Sequence, residues 1–212
     1  METINIVCNG IDCQKTLTSH YICYKMGTID KGIKGFMIMF QDSRLDEWHG
    51  IFVVTGEEER AKERVKYRLD DDFTVVVPKR KLRVRKGGIW RVETKILFPG
   101  YVLINGEVNT EVYYKLKNIP DVLKLLKTGN SVAKIDRREM AVLSKLICNS
   151  EEIGFSNVLM ENGRVRVIDG PLFSLEGIIV SIDHRKERAR ILLNFLGEER
   201  TVDLGISILK PV

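Results

Sequence analysis

Lys79, Arg80, Lys81, Arg83, Arg85 and Lys86 make the densest cationic run in the chain, and Arg91 and Lys95 follow beyond Gly87-Gly88. Ammonium and guanidinium groups at this density suit the neutralisation of phosphates, which gives salt-dependent and mostly sequence-independent affinity. Strand alternation around a glycine tip would put several of them on one face of a projecting hairpin. Lysine and arginine on an exposed hairpin also discourage sheet-to-sheet pairing, but the concentration here exceeds what an edge guard alone needs. A second basic set lies near the C-terminus: Arg164 and Arg166, then His184, Arg185, Lys186, Arg188 and Arg190. Arginine forks in such a set could clamp an RNA backbone and reach base edges in a distorted hairpin. A solvated turn is the plainer reading of the same residues.

Bond-making chemistry finds little support. There is no Gly-x-x-x-x-Gly-Lys loop, His-Glu-x-x-His pair or Gly-x-Ser-x-Gly elbow, and His20, His49 and His184 are scattered. Asp169 and Glu176 flank Gly170-Pro171, where carboxylates serve turns far more often than proton transfer. Cys8, Cys13 and Cys23 cluster around His20, but their spacing matches no common zinc site. Free thiols in a reducing compartment account for them and for Cys148. We expect no enzymatic activity, no metal and no cofactor.

The chain has 212 residues, 44% of them hydrophobic and 30% charged, with a net charge of +5. It can hold one large or two small domains with their own cores. No stretch is long and apolar enough to cross a bilayer, and no secretory signal is visible, so a cytoplasmic protein is expected. Residues 1–45 show one strong apolar run, Phe36-Met37-Ile38-Met39-Phe40, consistent with a short strand, and no helical periodicity. We assign this extension no role; it is an appendage, or translation starts downstream near Met37 or Met39.

From residue 46 the pattern is clearer. A strand at 51–55 leads to a helix at 57–69, whose Ala61, Val65 and Leu69 recur at i, i+4, i+8 behind an acidic first turn. A β-branched strand at 73–78, the basic hairpin and a strand at 101–104 follow. A helix at 110–117 closes at Asn118-Ile119-Pro120, and a strand is expected at 121–126. A helix at 136–148 has Asp136 as N-cap, with Glu139 placed as its capping-box partner. Residues 150–157 are polar and aperiodic and read as a linker. Beyond them, Val165 and Val167 alternate with Arg164 and Arg166 until Asp169-Gly170-Pro171 breaks the strand. Gly177 opens the next strand, where a side chain would crowd a neighbouring backbone. Short strands at 188–195, 200–204 and 206–209 complete a small β-barrel.

The run Gly163-Arg164-Val165-Arg166-Val167-Ile168-Asp169-Gly170-Pro171, followed by Glu176-Gly177-Ile178-Ile179-Val180, resembles a KOW motif. Upstream stand Trp48-His49-Gly50-Ile51-Phe52-Val53-Val54-Thr55-Gly56 and Leu97-Phe98-Pro99-Gly100-Tyr101. The order of strand, acidic-start helix, basic hairpin, Phe-Pro-Gly-Tyr strand, helix and KOW motif resembles the NusG family from Trp48 to the C-terminus. Val77-Pro78-Lys79-Arg80-Lys81 and the Thr-Gly-Glu-Glu helix start look most like its LoaP group of specialised paralogues.

The resemblance implies an α+β protein. Its NusG N-terminal (NGN) α/β sandwich would span 46–149, the linker 150–157 and the KOW β-barrel 158–212. It further implies that Trp48, Phe98 and Tyr101 line an apolar depression that grips the clamp coiled coil of RNA polymerase. Without it, these aromatics would read as ordinary core. The implied function is transcription elongation control by processive antitermination, with the barrel contacting a nascent RNA hairpin. Two alternatives stay open: a housekeeping NusG whose barrel docks Rho or a ribosomal protein, and a ribosome-associated KOW protein that binds RNA. A monomer without membrane contact is expected in each case.

Overall fold

The computed structural model describes residues 3–8, 11–18, 21–26, 47–69, 72–128, 131–147, 150–161 and 164–209. The apolar run at 36–40, His20 and Cys148 lie outside them. Near the N-terminus, β1 (Thr3–Cys8), β2 (Ile11–Thr18) and β3 (Tyr21–Met26) pair as an antiparallel three-stranded sheet. The short strand expected at 36–40 lies outside the described residues, and these three were not expected.

The first domain is built on an antiparallel sheet. Its members are β4 (Trp48–Val53), β5 (Thr74–Val76), β8 (Tyr101–Asn105) and β9 (Val122–Leu125), in the order β5-β8-β4-β9. Side chains alternate across a pleated sheet, and here both faces are covered. Ile51, Val53, Val75, Val102 and Ile104 pack with helices α1 (Glu58–Arg68) and α2 (Thr110–Lys117). The helices supply Ala61, Val65, Val112 and Leu116, all buried, which matches the helical spacing seen in the sequence. Asn109 caps α2 by accepting from the Val112 N–H at 2.9 Å. Trp48, Val76 and Leu103 point to the opposite face, into a second cluster.

Between β5 and β8 the chain leaves the sheet as a hairpin, β6 (Lys79–Lys86) and β7 (Ile89–Ile96), with Gly87-Gly88 at its tip as expected. A short pair, β10 (Lys127–Thr128) and β11 (Ser131–Val132), precedes α3 (Arg137–Leu146). Asp136 caps α3 through the Arg138 N–H at 2.7 Å. Glu139 does not complete a capping box: its carboxylate reaches the second domain instead.

The segment expected as a polar linker is itself paired. It holds β12 (Glu152–Ile153), which adds in parallel to β6 at Lys79 and Arg80, and Ile153 is buried. One apolar side chain and a free strand edge were enough to draw it into the sheet. The second domain begins with β13 (Ser156–Glu161) and β14 (Arg164–Asp169). A 3-10 turn at Glu176–Ile178 leads to β15 (Ile179–Asp183), β16 (Arg188–Phe195) and β17 (Glu198–Leu209). The order is β14-β13-β17-β16-β15. The two short strands expected at 200–204 and 206–209 are one. β17 pairs antiparallel with β16 up to Gly205, and its last residues pair parallel with β13. Gly177 lies in the 3-10 turn with nothing within 4 Å of a Cβ built there, so the expected crowding does not occur.

The two domains share one hydrophobic cluster. Phe98, Met140, Leu143 and Leu146 of the first pack with Leu193, Phe195, Val202 and Leu204 of the second. No helix among the described residues is long and apolar enough to cross a membrane.

Candidate interface surfaces at the domain seam

The sheet alternation that buries Ile51 and Val53 under the helices turns Trp48, Gly50 and Phe52 the other way, beside Tyr101 and Leu103 of β8. Phe98 joins them from the turn before β8. Trp48, Phe98 and Tyr101 are therefore brought to one face, and the second domain covers it. Phe195 stacks on Phe98 with ring centroids 3.9 Å apart and planes 4° from parallel, and Tyr101 meets Phe195 edge-on at 5.3 Å. Trp48 and Phe98 are each only 2% exposed. Arg200 closes the rim: its guanidinium lies 5.2 Å above the Tyr101 ring and donates to Tyr101 Oη at 3.3 Å. Aromatic pairs of this kind add about 0.5–1.5 kcal/mol beyond area burial.

The turn between β16 and β17 fixes the docking. Leu196 and Gly197 both have positive φ, 57° and 78°, the backbone of a type I′ hairpin turn. Such a φ strains a bulky side chain. Glu139 holds the turn in place, accepting from the Leu196 and Gly197 N–H groups at 3.0 Å each. The Leu196 side chain lies over Gly50, where a Cβ would stand 3.0 Å from Leu196 Cδ1. Gly50 thus gives the leucine its seat.

The basic residues divide into those used by the seam and those left outside. Arg80 donates to the Asp203 carbonyl at 2.8 Å; burial lowers its pKa, with Asp203 opposing. Arg83 bonds to Glu187 and Ser207 and sits 4.9 Å above the Phe155 ring. Arg188 donates to the Arg83 carbonyl at 3.2 Å, and Arg190 pairs with Asp203 across the strands at 3.1 Å. Lys79 pairs with Glu59 and Lys81 with Glu152. A Cβ on Gly205 would lie 2.5 Å from the Lys81 carbonyl oxygen, so β17 approaches β6 there as only glycine allows. Arg85, Lys86, Arg166, His184, Arg185 and Lys186 remain exposed. Lys86 pairs with Glu93 and Lys186 with Asp183. The Lys186 amide holds the Asp183 carboxyl below its ordinary range. Arg166 is on β14, three strands from β16 in the sheet order, and the Arg164 side chain lies outside the described residues. No group of three or more His, Cys, Asp or Glu among the described residues could hold a metal ion.

Residues 46–144 match the family model described as transcription termination factor nusG. This region is similar to the NusG family. The chain is 28% identical to the Bacillus subtilis transcription termination/antitermination protein NusG, over 74% of this chain and 93% of that protein. It is 27% identical to the Pseudomonas aeruginosa protein of the same name, over 78% of this chain and 98% of that one. A solved structure of Thermotoga maritima NusG aligns at 22% identity with a TM-score of 0.49, covering 76% of this chain and 93% of that one.

Within residues 46–144, sequence reasoning named Trp48, Phe98 and Tyr101 but missed their cover: Phe195, Leu196, Arg200 and the Glu139 clamp. One signal was available. Asn194-Phe195-Leu196-Gly197 places two large apolar residues at a hairpin tip, where polar turn formers usually stand; such a tip needs something to sit against.

Proposed function

We propose that this chain is a NusG-type transcription elongation factor. In this reading its first domain binds RNA polymerase through the Trp48, Phe98 and Tyr101 face, and it promotes processive antitermination while the KOW barrel contacts nascent RNA. The observation that carries the reading is the convergence of those aromatics on one sheet face of a domain similar to the NusG family, beneath a separately folded cover. An apolar face closed by a tethered partner suits a helix pair that can replace that partner. The exposed His184, Arg185 and Lys186 turn supports an RNA ligand for the barrel. A second reading is favoured by the barrel's own side of the seam. Phe195 and Leu196 would be bared on release and would suit a protein partner such as Rho or a ribosomal protein, as in a housekeeping factor.

Leu196→Asp tests the first step. It places a carboxylate against the apolar face, which is costly, while aspartate tolerates the left-handed turn better than leucine. The variant should capture RNA polymerase at least ten-fold more tightly than the wild type, and adding Phe98→Ala should abolish capture. Equal capture by all three proteins would defeat the reading. Read-through of a terminator downstream of a leader hairpin then separates antitermination from a housekeeping role.

A further inference from the structure

The hairpin and the barrel turn, two basic features far apart in sequence, meet in the structure. Glu187, in the turn between β15 and β16, takes Arg83 of β6, and Arg188 donates to the Arg83 carbonyl. The hairpin register puts Lys79, Lys81, Arg83 and Arg85 on the same face as Ile96, Thr94, Val92 and Trp90, because directly opposed residues share a face. That face carries no carboxylate of its own. Trp90 stands one face position beyond the Arg83–Val92 pair, roughly 7 Å further out along the strand. Arg185 and Lys186 stand one and two residues from Glu187, on the barrel side of the same contact.

The outer half of this face is unusual for a guarded edge. Trp90 is 49% exposed and Val92 57%, whereas edge protection calls for charge rather than indole. Arg85, opposite Trp90, has no carboxylate partner among the described residues; its Nε donates to the Gly88 carbonyl. Arg185 offers only its backbone N–H to Asp183. An exposed indole paired with Arg85, next to the Arg83–Glu187 contact that brings in the Arg185–Lys186 turn, suits a single-stranded polynucleotide, with a stacking platform for a base and donors for its phosphates. A purely apolar partner would leave these cations unanswered.

We propose that hairpin and barrel turn form one composite site for single-stranded RNA. Trp90 stacks a base, and Arg85, Arg185 and Lys186 hold the flanking phosphates. The site is complete only while the Arg83–Glu187 contact keeps the domains docked. This rests on the reading of the barrel as an RNA-contacting module. By linkage, RNA at this site favours the docked form and opposes uncovering of the aromatic face. It is therefore a contact of the closed factor before polymerase binding, distinct from the nascent-RNA contact of the released barrel.

The test is anisotropy of a labelled 12-nucleotide RNA, and of DNA of the same sequence, with the full chain across a salt series. Trp90→Ala should weaken RNA binding about 5- to 160-fold, the range of one base stack, and Trp90→Phe should retain most of it. Arg185→Ala with Lys186→Ala should reduce the salt slope by about two. Arg83→Glu should weaken binding, and adding Glu187→Arg should restore it. Binding unaffected by Trp90→Ala or by Arg83→Glu, but lost with the Arg185 and Lys186 pair, would overturn the composite site and leave the barrel-alone reading intact. Tighter binding of DNA than RNA, or no binding of either, would also overturn it, whereas polymerase capture by the Leu196→Asp variant decides the broader reading separately.

Discussion

The two faces of the first domain's sheet are buried by different chemistries. Beneath α1 and α2 the packing is mainly aliphatic, built on Ile51, Val53, Val65, Val102, Ile104 and Leu116, with Glu58 and Lys62 of α1 and His49 of β4 as buried polar groups. On the other face, stacked aromatics are flanked by Arg200 and the Glu139 clamp, and Arg80, Arg83 and Arg188 join the same two domains at the hairpin. The Nε atoms of Arg80, Arg188 and Arg200 are buried there without a protein acceptor. An unsatisfied buried donor costs about 1–3 kcal/mol, so the seam carries penalties that the helix-covered face does not. One face is built as a permanent core. The other, on the reading proposed above, would come apart.

Substitutions on the two faces should separate these roles. Leu116→Ala should destabilise the whole first domain by about 2–5 kcal/mol, the usual range for a buried leucine, seen as a lower urea midpoint with the seam lost in the same transition. Glu139→Ala should act on the seam alone. It hands the Leu196 and Gly197 N–H groups to water, costing about 0.5–1.5 kcal/mol, and should speed hydrogen exchange at those amides while protection under α1 and α2 is unchanged. A loss of protection in both places would mean that the two faces are one cooperative unit.

The smallest effect belongs to pH. His49 is buried on β4, its Nδ1 lies 3.0 Å from the Ala133 carbonyl, and burial lowers its pKa below 6.5, with Lys134 adding to the shift. A histidine depressed in the folded state favours unfolding when it protonates. Its contribution is therefore complete above 6.5 and is lost as pH falls through the lowered value. His49→Gln should flatten that part of the stability curve in denaturant melts at pH 7.5 and 5. It should leave the exchange of Leu196 and Gly197 unchanged, because His49 faces away from the seam.

How far the sequence could be read follows from the range of the forces involved. Local signals worked: Ala61, Val65 and Leu69 marked the buried stripe of α1, Asp136 its role as a cap, and Gly87-Gly88 the hairpin tip. Long-range partners were hidden. Glu139 stands three residues after an N-cap and looks like a capping-box residue, yet a strained turn some sixty residues later competes for its carboxylate and wins. Residues 150–157 lack periodicity because two paired residues are too few to show any, and their pairing depends on an edge strand seventy residues earlier. Arg80 and Arg83 looked like free cations in a basic run until the barrel supplied their acceptors. The aromatic trio could be grouped only through family resemblance; nothing in their spacing indicates a shared face.

The parallel pairing of β12 with β6 sets the length of the leash. With β12 in place, only Gly154 and Phe155 separate it from β13, a span of at most about 10 Å. A barrel that lets go of the aromatic face would then swing in a tight arc and rebind quickly at a high effective concentration. If β12 also peels away, breaking the buried Lys62–Glu151 ion pair that anchors its start, the free chain runs from the end of α3 at Leu146 to Ser156. That chain can reach about 30 Å. Release therefore has two gears, a short-range one that samples the immediate surroundings and a long-range one that lets the barrel work at a distance.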